Sequence, residues 1–354
     1  MSNPGVSRTQ ALEVLAAYEQ CKQNKAAAAR LLGMQPSTFR NRLDRAYEMF
    51  PEKMSGGADD RPSFPELQDP DVPVTDIIQS MSKRFQRRHA HEQARRWLDI
   101  KVPIEGPFAV AWVGDPHLDS NGCNWPLLLE HVELLSENRE FAYAFSAGDA
   151  LDNWPKNGRM TQLYAESDQS EGTAWRLAEW FLEGSNINWL GWLLGNHDLW
   201  NNGNQVFKRL GMQRVPMFEW GAKFRIVPPQ GKPYRIWASH DFPGRSIWNS
   251  LHGPGRAAQT QEEADLLICG HTHNWALHSE ESGARGHIYD IVRARGYKYI
   301  DDYAEKLGHF PQRFGASVVT VFCPEAEDIG RMQTFRDPHM AIDFCRYLRT
   351  KHGF

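Results

Sequence analysis

The chain has 354 residues, more than one domain of ordinary size requires, so we expect one large domain and a smaller appendage. Its apolar fraction of 41% is enough for a sizeable core, but no run of about eighteen apolar residues occurs, which argues against a membrane span. Five cysteines, odd in number and scattered, argue against a disulfide framework, and the net charge of -4 is unevenly distributed along the chain. Together with the lack of a signal-like start, these features favour the cytosol of a bacterium or a phage-infected host.

Residues 1–50 predict a small module of three helices. Apolar side chains recur at helical spacing from Ala11 to Tyr18. Asn24 suits the start of a second helix and Gly33 its end, and a third helix begins at Pro36 or Ser37. The module carries seven basic and four acidic side chains, which suits a polyanionic partner.

The order N-x-A-A-A-A-R-L-L-G-x-x-P-S-T-F-R-N-R-L resembles the helix-turn-helix of many bacterial and phage DNA-binding proteins. The resemblance implies that the third helix is a recognition helix and that DNA is the favoured partner. The side chains that it would offer to the major groove are Ser37, Thr38, Arg40, Asn41 and Arg45. A protein-docking role for the module stays open as the alternative.

Two segments connect this module to the rest of the chain. Residues 51–75 carry five prolines, two adjacent glycines and six acidic side chains without periodicity, which predicts a flexible acidic linker. Residues 76–104 predict a basic helix, running from Asp76 to Leu98, followed by the body at 105–354. That helix is either a solvated lead into the body or an arm that binds nucleic acid.

The body repeats one pattern five times: a short apolar run predicts a buried strand, and polar side chains follow directly. The runs are FAVAWV, YAFSAG, INWLGWLLG, YRIWAS and ADLLICG. The side chains that follow them include Asp115, His117, Asp149, Asn196, His197, Asp198, His240, His271 and His273. Because functional sites of layered α/β folds assemble at the carboxyl ends of strands, we expect these side chains to converge.

Carboxylate, imidazole and amide groups suit a pair of divalent cations, and the lack of cysteine among these side chains argues against structural zinc or an iron–sulfur cluster. Mn²⁺ is favoured, with Fe, Zn or Mg as alternatives. One D-x-H or H-x-H alone would be weak evidence for a metal site. Five such motifs in order, each at a strand end, are hard to obtain by chance.

The series D-x-H, G-D-x-x-D, G-N-H-D, S-H-D and G-H-T-H resembles the calcineurin-like metallophosphoesterases over roughly residues 105–325. The resemblance implies two β-sheets sandwiched between helices, with a two-metal site on the strand-end loops. It implies that Asp115, His117 and His273 bind one metal, that Asn196, His240 and His271 bind the other, and that Asp149 bridges them. It also implies that His197 faces the substrate as a proton donor, with Asp198 fixing its orientation.

Some positions differ from the best-known branches of that family. Asn153 stands where protein serine/threonine phosphatases carry a phosphate-gripping arginine, and Asp152 stands where double-strand-break repair nucleases usually have histidine. Asp152 is expected to make a supporting contact to a ligand. His252 competes with His240 as a ligand, but it does not follow a strand-like run.

The rest of the substrate could contact aromatic and basic side chains near the metal loops. Trp154 and Trp200 are candidates for stacking on a base, with packing of the loops as the alternative. Arg245 is a candidate phosphate clamp, with a surface salt bridge as the alternative. The segment from Tyr289 to Gly308 is expected to connect with helical parts, before a final strand and a terminal helix at 335–354.

The favoured function is hydrolysis of phosphodiester bonds in DNA or RNA, with the N-terminal module tethering the enzyme to its substrate. A phosphatase or cyclic phosphodiesterase for small nucleotides is the second hypothesis. A DNA-binding regulatory or assembly factor with weak turnover is the third, and the complete ligand set argues against it. The two-part architecture would suit a phage or bacterial genome-processing protein.

Overall fold

The computed structural model describes residues 6–51, 53, 71–94, 96–158, 160–167, 169–211, 215–261, 263–282, 286–300, 305 and 317–354. The chain forms two compact units, Met1–Ile78 and Gln79–Phe354. Most of the predicted linker lies outside the described residues. Within the described ranges, no helix has the length and apolarity that a membrane crossing requires.

The first unit contains the three predicted helices, α1 (Arg8–Gln20), α2 (Lys25–Leu31) and α3 (Pro36–Met49). Ser7 caps α1 with a capping box, and the Asn24 side chain accepts hydrogen bonds from two backbone N–H groups at the start of α2. Gly33, with φ +58°, lies just beyond α2 in the left-handed region that glycine tolerates. Val14, Phe39 and Leu43 are buried in the small core that the three helices share.

Helix α4 (Val74–Ala94) is exposed along its described side chains, and it ends before the predicted Leu98. Residues Leu98–Lys101 instead form strand β1, which pairs in parallel with a later strand. The prediction that the basic helix extends to Leu98 is therefore wrong. Pairing with the sheet gives the backbone N–H and C=O groups of these four residues their hydrogen-bond partners.

The remaining elements alternate between strands and helices. The strands are β2 (Phe108–Val113), β3 (Ala142–Ser146), β4 (Trp189–Leu194), β5 (Met217–Glu219), β6 (Gly221–Val227), β7 (Tyr234–Ser239), β8 (Leu266–Cys269), β9 (Ala276–Ser282), β10 (His287–Arg293), β11 (Val318–Phe322) and β12 (Met332–Phe335). The helices are α5 (Trp125–Glu137), α6 (Thr161–Ala165), α7 (Glu171–Glu179), α8 (Asn196–Leu199), α9 (Gly203–Gly211), α10 (His252–Thr260) and α11 (Pro338–His352). Short π and 3₁₀ turns cover Trp180–Gly184, Trp200–Asn202 and Asp328–Arg331.

The strands form two mixed six-stranded sheets, ordered β12-β11-β2-β3-β4-β5 and β1-β6-β7-β8-β10-β9. Strands β2, β3 and β4 are mutually parallel, and β7 is parallel to β8. Parallel strands end on the same side of a sheet. The carboxyl ends of β2, β3 and β4 therefore lie side by side in the first sheet, and those of β7 and β8 lie side by side in the second.

The main core lies between the two sheets. Trp112 and Phe145 of one sheet belong to the same buried cluster as Phe224 and Ile236 of the other. A second cluster packs helices α5, α7 and α11 on the first sheet, and a third packs α10 on the second. The predicted arrangement of two sheets between helices is confirmed.

One part of the C-terminal prediction is wrong. The start of the predicted connecting segment, Tyr289–Arg293, is the end of β10, whose Tyr289 to Val292 side chains are buried. A buried apolar run flanked by polar residues cannot be told from a helix segment by periodicity alone. The segment forms a strand because its backbone pairs with β8 on one side and with β9 on the other.

Candidate active site

The five motifs lie directly after strands β2, β3, β4, β7 and β8, at neighbouring carboxyl ends of the two sheets. Their predicted ligands meet in one cluster. The carboxylates of Asp115 and Asp149 and the imidazoles of His117 and His240 are fully buried there.

One half of the cluster contains the side chains predicted for the first metal. Nε2 of His117 lies 3.1 Å from Nε2 of His273. Nε2 of His273 lies 3.8 Å from Oδ2 of Asp115. Two imidazoles this close, with a carboxylate beside them, can direct their lone pairs at a shared cation.

The other half contains the side chains predicted for the second metal. Nε2 of His240 lies 3.2 Å from Oδ1 of Asn196 and 3.2 Å from Nδ1 of His271. His252, the competing candidate, is an exposed residue at the start of α10. The structure thus brings His240 and not His252 to the cluster.

Asp149 joins the two halves. Its Oδ2 lies 3.1 Å from Nε2 of His240, and it forms a compact group of metal-binding type with His240 and His271. It also forms a second such group with His117 and His197. A carboxylate common to both groups has the placement that a bridging ligand needs.

The loops that carry these ligands adopt backbone conformations that are uncommon for residues with side chains. Positive φ values occur at Asp115, His117, Asp149, His271 and His273, from +31° to +71°. Such strain persists where surrounding packing enforces it, and it is concentrated at functional sites. A Cβ added to Gly195 would lie 2.1 Å from Oδ1 of Asp149, so only glycine permits this approach.

Electrostatics in the cluster centre on an ion pair between Asp149 and His240. Burial alone would raise the pKa of Asp149, but the charges of His240 and His197 hold it well below its usual value. Burial would likewise lower the pKa of His240, but the carboxylates of Asp149 and Asp115 raise it to about 10. In the metal-free protein His240 is therefore protonated at neutral pH.

The donor set fits a pair of divalent cations. Burial raises the pKa of Asp115 to about 7, and no donor among the described residues forms a hydrogen bond with its buried Oδ1. A buried carboxylate oxygen without a donor is costly unless a cation binds it. Oxygen and imidazole ligands without thiolate are typical of Mn, Fe, Zn and Mg sites.

His197 lies beside the cluster and contacts the aromatic rings of Trp154 and Trp200, at centroid distances of 4.8 and 4.3 Å. Burial lowers the pKa of His197 to about 4, so its imidazole is neutral at pH 7. Its Nδ1 donates to the Asp152 carbonyl oxygen at 2.6 Å, which leaves a lone pair on Nε2. In this geometry Nε2 accepts and does not donate, which differs from the predicted proton-donor role.

The predicted pairing of Asp198 with His197 is wrong. The Asp198 carboxylate accepts hydrogen bonds from the backbone N–H groups of Ala150 and Gly195, at 2.9 and 3.0 Å. It thereby ties the loop of Asp149 to the loop of Asn196. Because Asp198 follows His197 in a short helix, its side chain points away from its neighbour's ring.

Sequence reasoning missed part of the support around His117. Oδ1 of Asp152 lies 2.8 Å from Nδ1 of His117, which is the supporting contact expected of Asp152. The buried ammonium of Lys298 lies 2.9 Å from the same oxygen, and Asp119 accepts from the Asp152 backbone N–H at 2.6 Å. Asp119 continues the D-x-H motif by two residues, whereas no motif marks Lys298.

The other predicted substrate contacts have different surroundings. Trp154 and Trp200 stack on each other at 5.8 Å beside His197, so they border the cluster. Arg245 is exposed, and no carboxylate of the described residues forms an ion pair with it. Its positive charge contributes to the lowered pKa of His271, for which burial is the larger cause.

The five predicted DNA-contacting residues all lie on α3. Ser37, Thr38, Arg40, Asn41 and Arg45 are exposed, whereas Phe39, Leu43 and Ala46 of the same helix are buried. This leaves the polar face of the helix available to a partner.

Comparisons with known families agree with this fold. The model of the calcineurin-like phosphoesterase family matches residues 108–275, and that of the PucR C-terminal helix-turn-helix domain matches residues 11–56. The chain therefore carries a calcineurin-like phosphoesterase domain and, N-terminal to it, a helix-turn-helix domain of the PucR type. The family is one of metal-dependent phosphoester hydrolases.

Solved structures that match the chain include NAD nucleotidase (NadN) of Haemophilus influenzae, at 11% identity and a TM-score of 0.36 over 65% of this chain. The chain spans about half of that protein, 49% of its length. The calcineurin-like phosphoesterase YfkN of Bacillus subtilis matches at 10% identity and a TM-score of 0.35, over 68% of this chain and 97% of its own. No curated protein sequence matches the chain.

Proposed function

We propose that the protein hydrolyses phosphodiester bonds of nucleic acid, with DNA favoured, at a two-metal site. The observation that carries the proposal is the presence in one chain of the converged Asp/His/Asn cluster and a helix-turn-helix domain with an exposed polar recognition face. Such a domain would raise the local concentration of DNA at the catalytic unit. An enzyme of this kind would act in the cytoplasm of a bacterial or phage-infected cell.

Seven side chains would hold the two cations. Asp115, His117 and His273 lie in one half of the cluster, Asn196, His240 and His271 lie in the other, and Asp149 belongs to both. When bound, a pair of divalent cations, with Mn²⁺ favoured, would activate the attacking water and offset charge on the phosphate oxygens.

The surrounding residues orient this machinery. Oδ1 of Asp152 contacts both the His117 ring and the Lys298 ammonium. Lys298 therefore fixes the Asp152 carboxylate, which in turn orients the His117 ring. His197 offers an Nε2 lone pair that can accept a hydrogen bond from water or from the substrate. Its neighbours Trp154 and Trp200 add aromatic faces on which a base can stack.

Hydrolysis of small nucleotides is the second candidate. The aromatic faces of Trp154 and Trp200 would suit the base of a mononucleotide equally well. In that case the helix-turn-helix domain would be regulatory and would not deliver the substrate.

One assay separates the two candidates. With Mn²⁺ present, the protein is tested on single- and double-stranded DNA, on bis-nitrophenyl phosphate and on nitrophenyl phosphate. Cleavage of DNA and of the diester is the expected result. Hydrolysis of the monoester alone would overturn the proposal, and the Asp149→Ala variant shows whether any activity belongs to this site.

A further inference from the structure

The segment Phe242–Leu251, which we name the Trp248 loop, connects β7 to α10. Its ends are buried, whereas Ile247 and Trp248 at its tip are each 90% exposed. They are the two most exposed large hydrophobic side chains of the described residues. Single exposed apolar residues are ordinary, but an adjacent pair at a loop tip marks a candidate contact surface.

The tip is presented by an ordered turn. The Ser246 hydroxyl accepts hydrogen bonds from the backbone N–H groups of Trp248 and Asn249, at 3.2 and 3.3 Å. The Asn249 side chain accepts from the Leu251 N–H at 2.9 Å. These local hydrogen bonds stabilise the turn, so that the loop stays ordered although the Trp248 side chain does not pack against the protein.

Buried Arg293 connects the loop to the metal cluster. Its guanidinium donates to the Ser250 carbonyl at 3.0 Å, to the Gly270 carbonyl at 2.6 Å and to the Thr272 hydroxyl at 2.9 Å. Gly270 and Thr272 flank the predicted ligand His271. The loop also begins two residues after His240, so both of its ends border the site.

The Trp248 loop and the start of α10 carry exposed positive charge. Residues 242–261 contain two exposed arginines, Arg245 and Arg256, and no aspartate or glutamate, and Asp241 directly before them is paired with the buried Arg293. A cationic surface attracts a polyanion, and an aromatic tip gives its bases a surface for stacking. Proteins that bind single strands without sequence preference combine these two features.

We propose that the Trp248 loop binds an unpaired stretch of a nucleic-acid strand next to the scissile phosphodiester, with Trp248 stacking on a base and Arg245 contacting a phosphate. The inference rests on the proposed function and narrows it to single-stranded or locally opened substrates. A small phosphodiester serves as the reference substrate, because it offers no adjoining strand for the loop to bind.

The test uses the full-length protein with Mn²⁺, and it compares kcat/KM for a fluorescent single-stranded oligonucleotide with that for bis-nitrophenyl phosphate. Trp248→Ala is expected to lower the ratio of the two about 5- to 150-fold, the range for stacking one base on an aromatic ring. Trp248→Phe should keep most of the ratio. Ile329→Ala, another exposed apolar residue, is the matched control and should leave it unchanged.

An unchanged ratio in Trp248→Ala would overturn the inference. Sedimentation with anionic phospholipid vesicles that depends on Trp248, beside unchanged oligonucleotide kinetics, would assign the tip to a lipid surface and would also overturn it. If the wild type hydrolyses bis-nitrophenyl phosphate but no oligonucleotide, the proposed function fails by itself. Fluorescence anisotropy of the oligonucleotide then tests the loop, and equal affinities of wild type and Trp248→Ala would refute it.

Discussion

At the scale of single residues, Asp149 has the largest number of roles. Its carboxylate is common to both groups of metal-binding type and accepts the His197 backbone N–H at 2.9 Å. It is also the ion-pair partner of His240. Removal of this one side chain therefore affects both halves of the cluster.

We expect Asp149→Ala to lower phosphodiester turnover by more than the roughly 10–100-fold that loss of a supporting contact causes. The physical reason is that both cations would lose a shared ligand. Turnover of bis-nitrophenyl phosphate and the number of bound metal ions per chain are the measurements. Asp343→Ala, an exposed carboxylate on α11, is the control. Full activity and two bound ions in Asp149→Ala would contradict the assignment.

The pKa of His240 predicts how metal binding depends on pH. Because this pKa is raised to about 10, the metal-free protein carries a proton on His240 at pH 8, and the neutral ligand forms only when that proton leaves. We expect about one proton to be released as the second site is filled. The apparent affinity should fall about tenfold for each unit that the pH is lowered below 10.

Calorimetry in buffers of different ionisation enthalpy measures this release. Because the pKa of His240 is raised, protons compete with the metal for its ring, and a lower pH weakens metal binding. Affinity that does not change between pH 6 and pH 9 would contradict a binding step that displaces a proton from His240.

At the scale of elements, the site depends on loops that glycines allow to approach one another. Gly195 precedes Asn196 at the end of β4 and packs against the Asp149 carboxylate and the His240 ring. The loops after β3, β4 and β7 therefore meet at one backbone position. A side chain there would separate ligands that come from different strands.

We expect Gly195→Ala to lose metal binding and activity while the secondary structure stays intact. An added Cβ would lie 2.1 Å from Oδ1 of Asp149 and 2.6 Å from Cε1 of His240. Metal titration and circular dichroism are the measurements. Gly172→Ala in α7 is the matched control, because its nearest neighbour, Oγ of Ser170, would lie 3.9 Å away. Normal metal affinity in Gly195→Ala would contradict the contact.

At the scale of the whole molecule, two units of different chemistry are joined in one chain. In the first unit α3 exposes a polar face, and the second unit contains the cluster of predicted metal ligands. If the first unit delivers DNA, binding and hydrolysis should respond separately to substitution.

We expect Arg40→Ala and Arg45→Ala to weaken duplex DNA binding, each by about 1–3 kcal/mol if the side chain reads a base. Hydrolysis of bis-nitrophenyl phosphate should persist, since these residues lie in the other unit. Fluorescence anisotropy at fixed salt measures the affinity. Lys351→Ala on α11 is the control for loss of one surface charge, and equal DNA affinity in all variants would refute the tether.

The sequence by itself determined the fold class, the helix-turn-helix and the strand-end positions of the metal-binding motifs. It could do so because buried strands and helix caps leave local patterns, and parallel strands bring their carboxyl ends together. Side-chain partners depended on the tertiary structure. The hydrogen bond from the Ala150 N–H to Asp198, the Lys298 support and the Arg293 connection join residues far apart in the chain, where no local pattern records the contact. The neutral state of His197 likewise follows from burial, which only the packed fold creates.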